Sequence, residues 1–94
     1  MARIELKARL TIPEHVIHQK VDEEMVLLNL ETGIYHGLSR TGTRLWEFLL
    51  EDENLHSVFQ KMLKEYDVSA EQLEEDILRL VQELETHKLV IVGA

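Results

Sequence analysis

The stretch VLLNLETGIYHGLSRTGTRLW, from Val26 to Trp46, constrains this chain more than any other segment, because it reads without interruption as strand, short loop, strand and capped helix. Val26 to Leu30 is a continuous β-prone apolar run. Glu31-Thr32-Gly33 forms a loop in which Gly33 can take positive φ, and Ile34 to Leu38 resumes as a strand, so the pattern is a β-hairpin. Ser39 then offers a side-chain oxygen to the free amides of a first helical turn, and that helix carries Leu45, Trp46, Leu49 and Leu50 at helical spacing.

Upstream, Ile4, Leu6, Ala8 and Leu10 alternate with charged residues, as in an N-terminal strand with one buried face, a frayed arm being the alternative. Thr11-Ile12-Pro13-Glu14 is a break, since Pro13 cannot donate to a ladder. A strand over 15–20 follows, turns at Asp22-Glu23-Glu24 and continues as strands over 25–30 and 34–38, an antiparallel meander of three. Downstream, Glu51-Asp52-Glu53 is polar, and Asn54 caps a second helix carrying Leu55, Val58, Phe59, Met62 and Leu63. Ser69 with Gln72 three residues on matches a capping box. It opens a third helix with Leu73, Ile77, Leu80, Val81 and Leu84 in its apolar stripe. His87 and Lys88 suit the negative end of that helix, and Leu89 to Val92 is a final β-prone run packing beside the meander or the helices. The expected fold is α+β, a three-stranded antiparallel sheet followed by three helices, winged-helix-like, with residues 1–94 as a single domain.

Composition narrows the function. The chain has no cysteine, hence no disulfide, thiolate ligand or thiol nucleophile, and a reducing cytoplasm suits it. No run approaches the ~20 apolar residues of a membrane span, and the N-terminus lacks the apolar core of a signal peptide. Eighteen acidic against ten basic side chains give a formal net charge of −8, which repels nucleic acid and anionic membrane and favours a basic partner.

Catalytic constellations are missing. A nucleophile elbow, a phosphate loop and a dinucleotide fingerprint are all absent, so neither an enzyme nor a cofactor is expected. Of the five histidines, His15 and His18 are the nearest approach to a metal pair, yet on a regular strand they point to opposite faces, and no metal is expected. Glu74, Glu75 and Asp76 fan over about 200° of helix and cannot converge on one cation. Asp76, however, borders the apolar stripe, where it can face a groove.

The third strand of the meander, Ile34 to Leu38, lacks the lysines or proline that protect a free edge. If the third helix runs beside it, an extended peptide fits between them. Backbone pairing alone about balances the cost of ordering the peptide, so large peptide side chains must find pockets. Tyr35, Leu80 and the space opened by Gly37 are the candidates for those pockets. Taken singly, Tyr35 and Leu80 read more simply as core.

The apolar strand, the signature TGIYHGLSRTGTRLW and the segment NLHSVFQKMLKEYDVSAEQLEEDILRLVQELETHKLV together resemble the small PqqD-like proteins, peptide-recognition elements of ribosomal peptide natural-product biosynthesis, over about residues 15–92. Within that family the chain looks most like stand-alone leader-binding partners of lasso-peptide pathways. The resemblance implies a non-catalytic adaptor that captures a precursor leader peptide as an added strand and presents it to a separate maturation enzyme, a leader peptidase with a cyclase acting afterwards. Carried over residue by residue, it puts Ile34, Tyr35, His36 and Gly37 on the strand wall and Asp76, Arg79, Leu80 and Glu83 on the helix wall. The alternatives are a weak structural homodimer using the same strand edge and a winged-helix nucleic-acid binder, for which the third helix is too acidic.

Overall fold

The computed structural model describes residues 4–93. Its elements run β1 (Arg9–Thr11), β2 (Val16–Val21), β3 (Glu24–Asn29), β4 (Ile34–Gly37), α1 (Arg40–Glu51), α2 (Leu55–Glu65), α3 (Ala70–Thr86) and β5 (Ile91–Gly93). The expected three-stranded antiparallel meander is present in the order β2-β3-β4, followed by three helices, and a separate two-stranded sheet pairs β1 with β5.

The meander is tightly connected. Asp22 turns β2 into β3 at φ 58°, and Gly33 turns β3 into β4 at φ 74°, a region where a Cβ is costly and glycine is not. The second loop also depends on Asn29, which is 1% exposed. Its Oδ1 accepts from the amides of Glu31 (2.9 Å) and Thr32 (3.3 Å), and its Nδ2 donates to the His87 carbonyl (3.4 Å). One buried amide thus folds the hairpin and ties it to the end of α3. Along β3, Met25, Leu27 and Asn29 are buried against the helices, whereas Val26 and Leu28 lie on the opposite, outward face.

Each helix is capped as its sequence anticipates. Ser39, Asn54 and Ser69 accept from the amides of Gly42, Ser57 and Gln72 respectively. At Ser69 only half of the capping box forms, because the Gln72 amide group reaches forward to Asp76 at 3.0 Å rather than back. Thr43, buried in α1, accepts the Met25 backbone amide at 2.8 Å and fastens the helix to the sheet. The core gathers Leu10, Leu27, Leu45, Trp46, Leu55, Val58, Met62, Ile77 and Val81, with Leu89 and Val90 closing it.

Three expectations need correction. Ile4, Ala8 and Leu10 are buried, but only Arg9–Thr11 is strand, because β5 offers just three residues to pair with. The final apolar run packs Leu89 and Val90 into the core with the helices, as one of its two expected placements had it, but Ile91–Gly93 pairs with β1 rather than with the meander. Leu50 is 47% exposed, since the buried stripe of α1 runs through Gly42, Thr43, Leu45, Trp46, Phe48 and Leu49 and leaves Leu50 outside it.

Candidate peptide-binding groove

On α3, Asp76, Arg79, Leu80 and Glu83 stand at i, i+3, i+4 and i+7, a spacing that puts them on one helical face. All four line a cleft of about 210 Å³, with Thr41 from the first turn of α1 on its other side. Leu80 is partly buried and packs against the core cluster. The charges around it are only partly compensated. Arg79 lies 3.7 Å from Asp76 and 3.6 Å from Glu75, while Glu83 has no ion pair among the described residues. The cleft therefore has an apolar floor and a net acidic rim.

β4, the expected strand wall, is an edge strand of the meander. The Leu38 amide donates to the Met25 carbonyl at 2.8 Å, which fixes the alternation of the antiparallel ladder. Ile34 and His36 turn their peptide groups toward β3, and Tyr35 and Gly37 turn theirs toward the open edge. Side chains divide the other way. Ile34 and His36 share the face of their partners Asn29 and Leu27, on the helix side, whereas Tyr35 pairs with Leu28 on the outward face.

Tyr35 accordingly does not shape a pocket between strand and helix, and at 68% exposure it is not core either. What it contributes at the edge is backbone. A Cβ at Gly37 would meet nothing within 4 Å, so this glycine opens no confined space. None of the four strand residues lines the α3 cleft itself.

The two walls are joined by a contact that the sequence did not flag. The rings of His36 and His87 lie with centroids 4.6 Å apart and a tilt of 44°. Burial, and secondarily the proximity of His87, hold the His36 imidazole below its ordinary pKa. Composition at the end of α3 suggested only a residue suited to the helix terminus. His87 is also the C-cap, and its carbonyl takes the Asn29 bond.

Two further clefts were not anticipated. One, of about 450 Å³, lies on the other flank of α3 among Glu71, Glu74, Glu75, Leu78 and Gln82, with Ile4. The other, of about 240 Å³, lies on the outward face of the meander among Ile17, Gln19, Val26, Leu28 and Tyr35. His15 and His18 are engaged separately, His15 with the Lys88 carbonyl and Glu31, His18 against the edge of the Trp46 ring. Among the described residues no group of three or more His, Cys, Asp or Glu is placed to hold a metal ion, and no helix is long and apolar enough to cross a membrane.

Comparison with known proteins follows this geometry. The family model described as coenzyme PQQ synthesis protein D (PqqD) matches residues 24–90. Similar solved structures include TbiB1 in complex with the TbiA(beta) leader peptide, at 32% identity and TM-score 0.80, covering 84% of this chain and 92% of that one. Another is lasso peptide synthetase B1 complexed with the leader peptide, at 26% identity and TM-score 0.79, covering 88% of this chain and 98% of that one. No curated protein matches the chain.

Proposed function

The chain belongs to the PqqD family, and from that premise we propose that it is a non-catalytic, single-domain cytoplasmic adaptor that binds the leader segment of a ribosomally made precursor peptide by β-strand addition. It hands the bound precursor to a separate maturation enzyme, a leader peptidase of a lasso-peptide pathway with a cyclase acting later. The leader peptides bound in both similar structures support this reading.

The observation that carries it is the open β4 edge, joined through His36 and His87 to the helix that carries the acid-rimmed cleft. The peptide pairs with the outward amides and carbonyls of Tyr35 and Gly37. That is about four hydrogen bonds worth ~0.5–1.5 kcal/mol each, against ~1–2 kcal/mol for ordering each peptide residue. Pairing alone does not hold the peptide. An apolar side chain on Leu80 supplies a further ~1.5–3 kcal/mol, and basic neighbours meet Asp76 and Glu83, so the preferred leader alternates apolar and basic residues along its inward side.

Titration of the domain with fluorescent leader peptides at low and moderate salt tests this. Micromolar or tighter binding that weakens modestly with salt supports the adaptor. Absence of binding together with a stable dimer would mean that the β4 edge serves self-association instead.

A further inference from the structure

Arg79 stands between two clefts. It lines the peptide cleft with Asp76, Leu80 and Glu83, and it also lines the larger cleft of about 450 Å³ on the other flank of α3, where Glu75 is its neighbour. Its guanidinium lies 3.7 Å from Asp76 and 3.6 Å from Glu75. Consecutive helical positions diverge by about 100°, so Glu75 and Asp76 hold the one cation from two sides. The Arg79 side chain is 62% exposed, so neither pair is sealed from water and one is readily exchanged for the other.

The two acids on the rim of the peptide cleft are therefore unequal. Glu83 has no ion pair among the described residues, whereas Asp76 holds Arg79 and also accepts from the Gln72 side-chain amide at 3.0 Å. Both contacts reach the same oxygen, Oδ1. A basic side chain of a bound leader can approach the other oxygen of Asp76, but only beside a cation already in place. Like charges on one carboxylate repel, and the repulsion is relieved when the guanidinium turns toward Glu75, where the outer cleft has room for it.

We propose that Arg79 is an internal competitor of the leader. In the empty domain it neutralises Asp76; on loading, a Lys or Arg of the leader takes its place and Arg79 passes to Glu75 in the outer cleft. The proposal rests on the adaptor reading and deepens it, because it names the residue that sets how strongly a basic leader is preferred over a neutral one. A neutral leader leaves Arg79 on Asp76 and breaks no ion pair. A basic leader gains Asp76 only by displacing Arg79, so the arginine moderates the charge preference of the groove. Glu75 is a positioning residue: it acts by receiving the displaced cation, not by touching peptide.

The test measures the affinity of the full chain for two fluorescein-labelled versions of the leader, one with Lys on the inward side of its strand and one with Gln there. Arg79→Gln is expected to bind the Lys peptide about two- to fivefold more tightly than wild type, with the gain shrinking as salt rises, and the Gln peptide equally well. Glu75→Gln should weaken the Lys peptide by a similar factor, because Arg79 is then left with Asp76 alone. Glu74→Gln removes the same charge from the outer cleft but no partner of Arg79, and should leave both affinities unchanged. Combined with Arg79→Gln, the Glu75→Gln change should lose its effect, since no cation remains to be received. Circular dichroism checks that α3 persists in every variant.

Unchanged or weaker binding of the Lys peptide by Arg79→Gln would overturn the proposal, and weaker binding would make the guanidinium a contact of the peptide rather than its rival. Equal losses in Glu75→Gln and Glu74→Gln would overturn it as well, leaving only the general field of an acidic helix. Failure of the wild-type chain to bind either peptide would remove the adaptor reading itself, a result distinct from each of these.

Discussion

His36 of β4 and His87 at the C-cap of α3 lie in contact, their tilted rings 4.6 Å apart between centroids, and this contact ties β4 to the end of α3. Protonating His36 works against this contact, since burial and the neighbouring His87 both disfavour the charged ring.

Stability should follow that titration. Because burial first and His87 second depress the folded pKa of His36, the unfolded chain binds its proton more readily. The contribution is complete above about pH 6.5, the unfolded value, and is lost as pH falls through it toward the folded one. Thermal melts from pH 7.5 to 5 should show a falling midpoint for wild type and a flatter profile for His36→Gln. Equal slopes would mean that His36 does not contribute to the pH dependence of stability.

Removing the outward donor at the β4 edge should abolish capture without unfolding the sheet. In Tyr35→Pro the lost N–H faces the open edge rather than β3, so leader affinity is expected to fall at least tenfold while the melting midpoint changes by only a few degrees. Tyr35→Ala keeps that N–H and should bind within a few-fold of wild type. If the alanine variant is the more damaging of the two, the side chain and not the backbone carries the contact.

Charge reversal on the helix wall is a separate probe. Asp76→Lys removes an acid from the rim and abolishes its contact with Arg79, so binding of a basic leader should weaken several-fold at low salt and less at high salt. A salt-independent loss would point to a steric rather than an electrostatic effect. Circular dichroism checks that α3 persists.

Asn29→Ala should be among the most destabilising single changes in the hairpin. It deletes two hydrogen bonds that hold the Glu31 and Thr32 amides and one that reaches His87, at a cost of about 2–3 kcal/mol in urea unfolding. Asn29→Asp retains the acceptors but sets a carboxylate against the His87 carbonyl, and should recover only part of that loss.

Arg44 offers a contrasting case on the surface. Its guanidinium grips Glu65 at 2.8 and 2.6 Å and lies 4.1 Å over the Phe48 ring, joining α1 to α2. Arg44→Lys keeps the charge but not the planar fork, and about 0.5–1.5 kcal/mol of stability should be lost, since both partners remain partly in water.

Features that depend on near neighbours in sequence were legible before the structure. Ser39, Asn54 and Ser69 are caps because a side-chain oxygen two or three residues from free amides makes the same bond in any context, and Gly33 turns because its own φ permits it. The four groove residues of α3 could be grouped because helical spacing alone puts them on one face.

The outward direction of the Tyr35 side chain is not legible in the sequence, for an equally physical reason. Val26 to Leu30 is apolar on both faces, so composition does not say which parity faces the helices, and the orientation of every residue in β4 follows from that choice. Asn29, His36 with His87, and the pairing of β1 with β5 were hidden because each unites residues distant in sequence. The outward cleft from Ile17 to Tyr35 required the register of two strand pairs at once.

The pairing of Arg9 with Gly93 joins positions separated by nearly the whole chain. Closing so long a loop costs more chain entropy than forming the local hairpin and helices, so the β1–β5 ribbon is expected to form after them. Between α3 and that ribbon lies only the short segment through Lys88, Leu89 and Val90, so the last turn of α3 acquires its final position as the ribbon closes. A chain with its hairpin folded but its β1–β5 ribbon still open is therefore expected to lack the final setting of His87 beside β4.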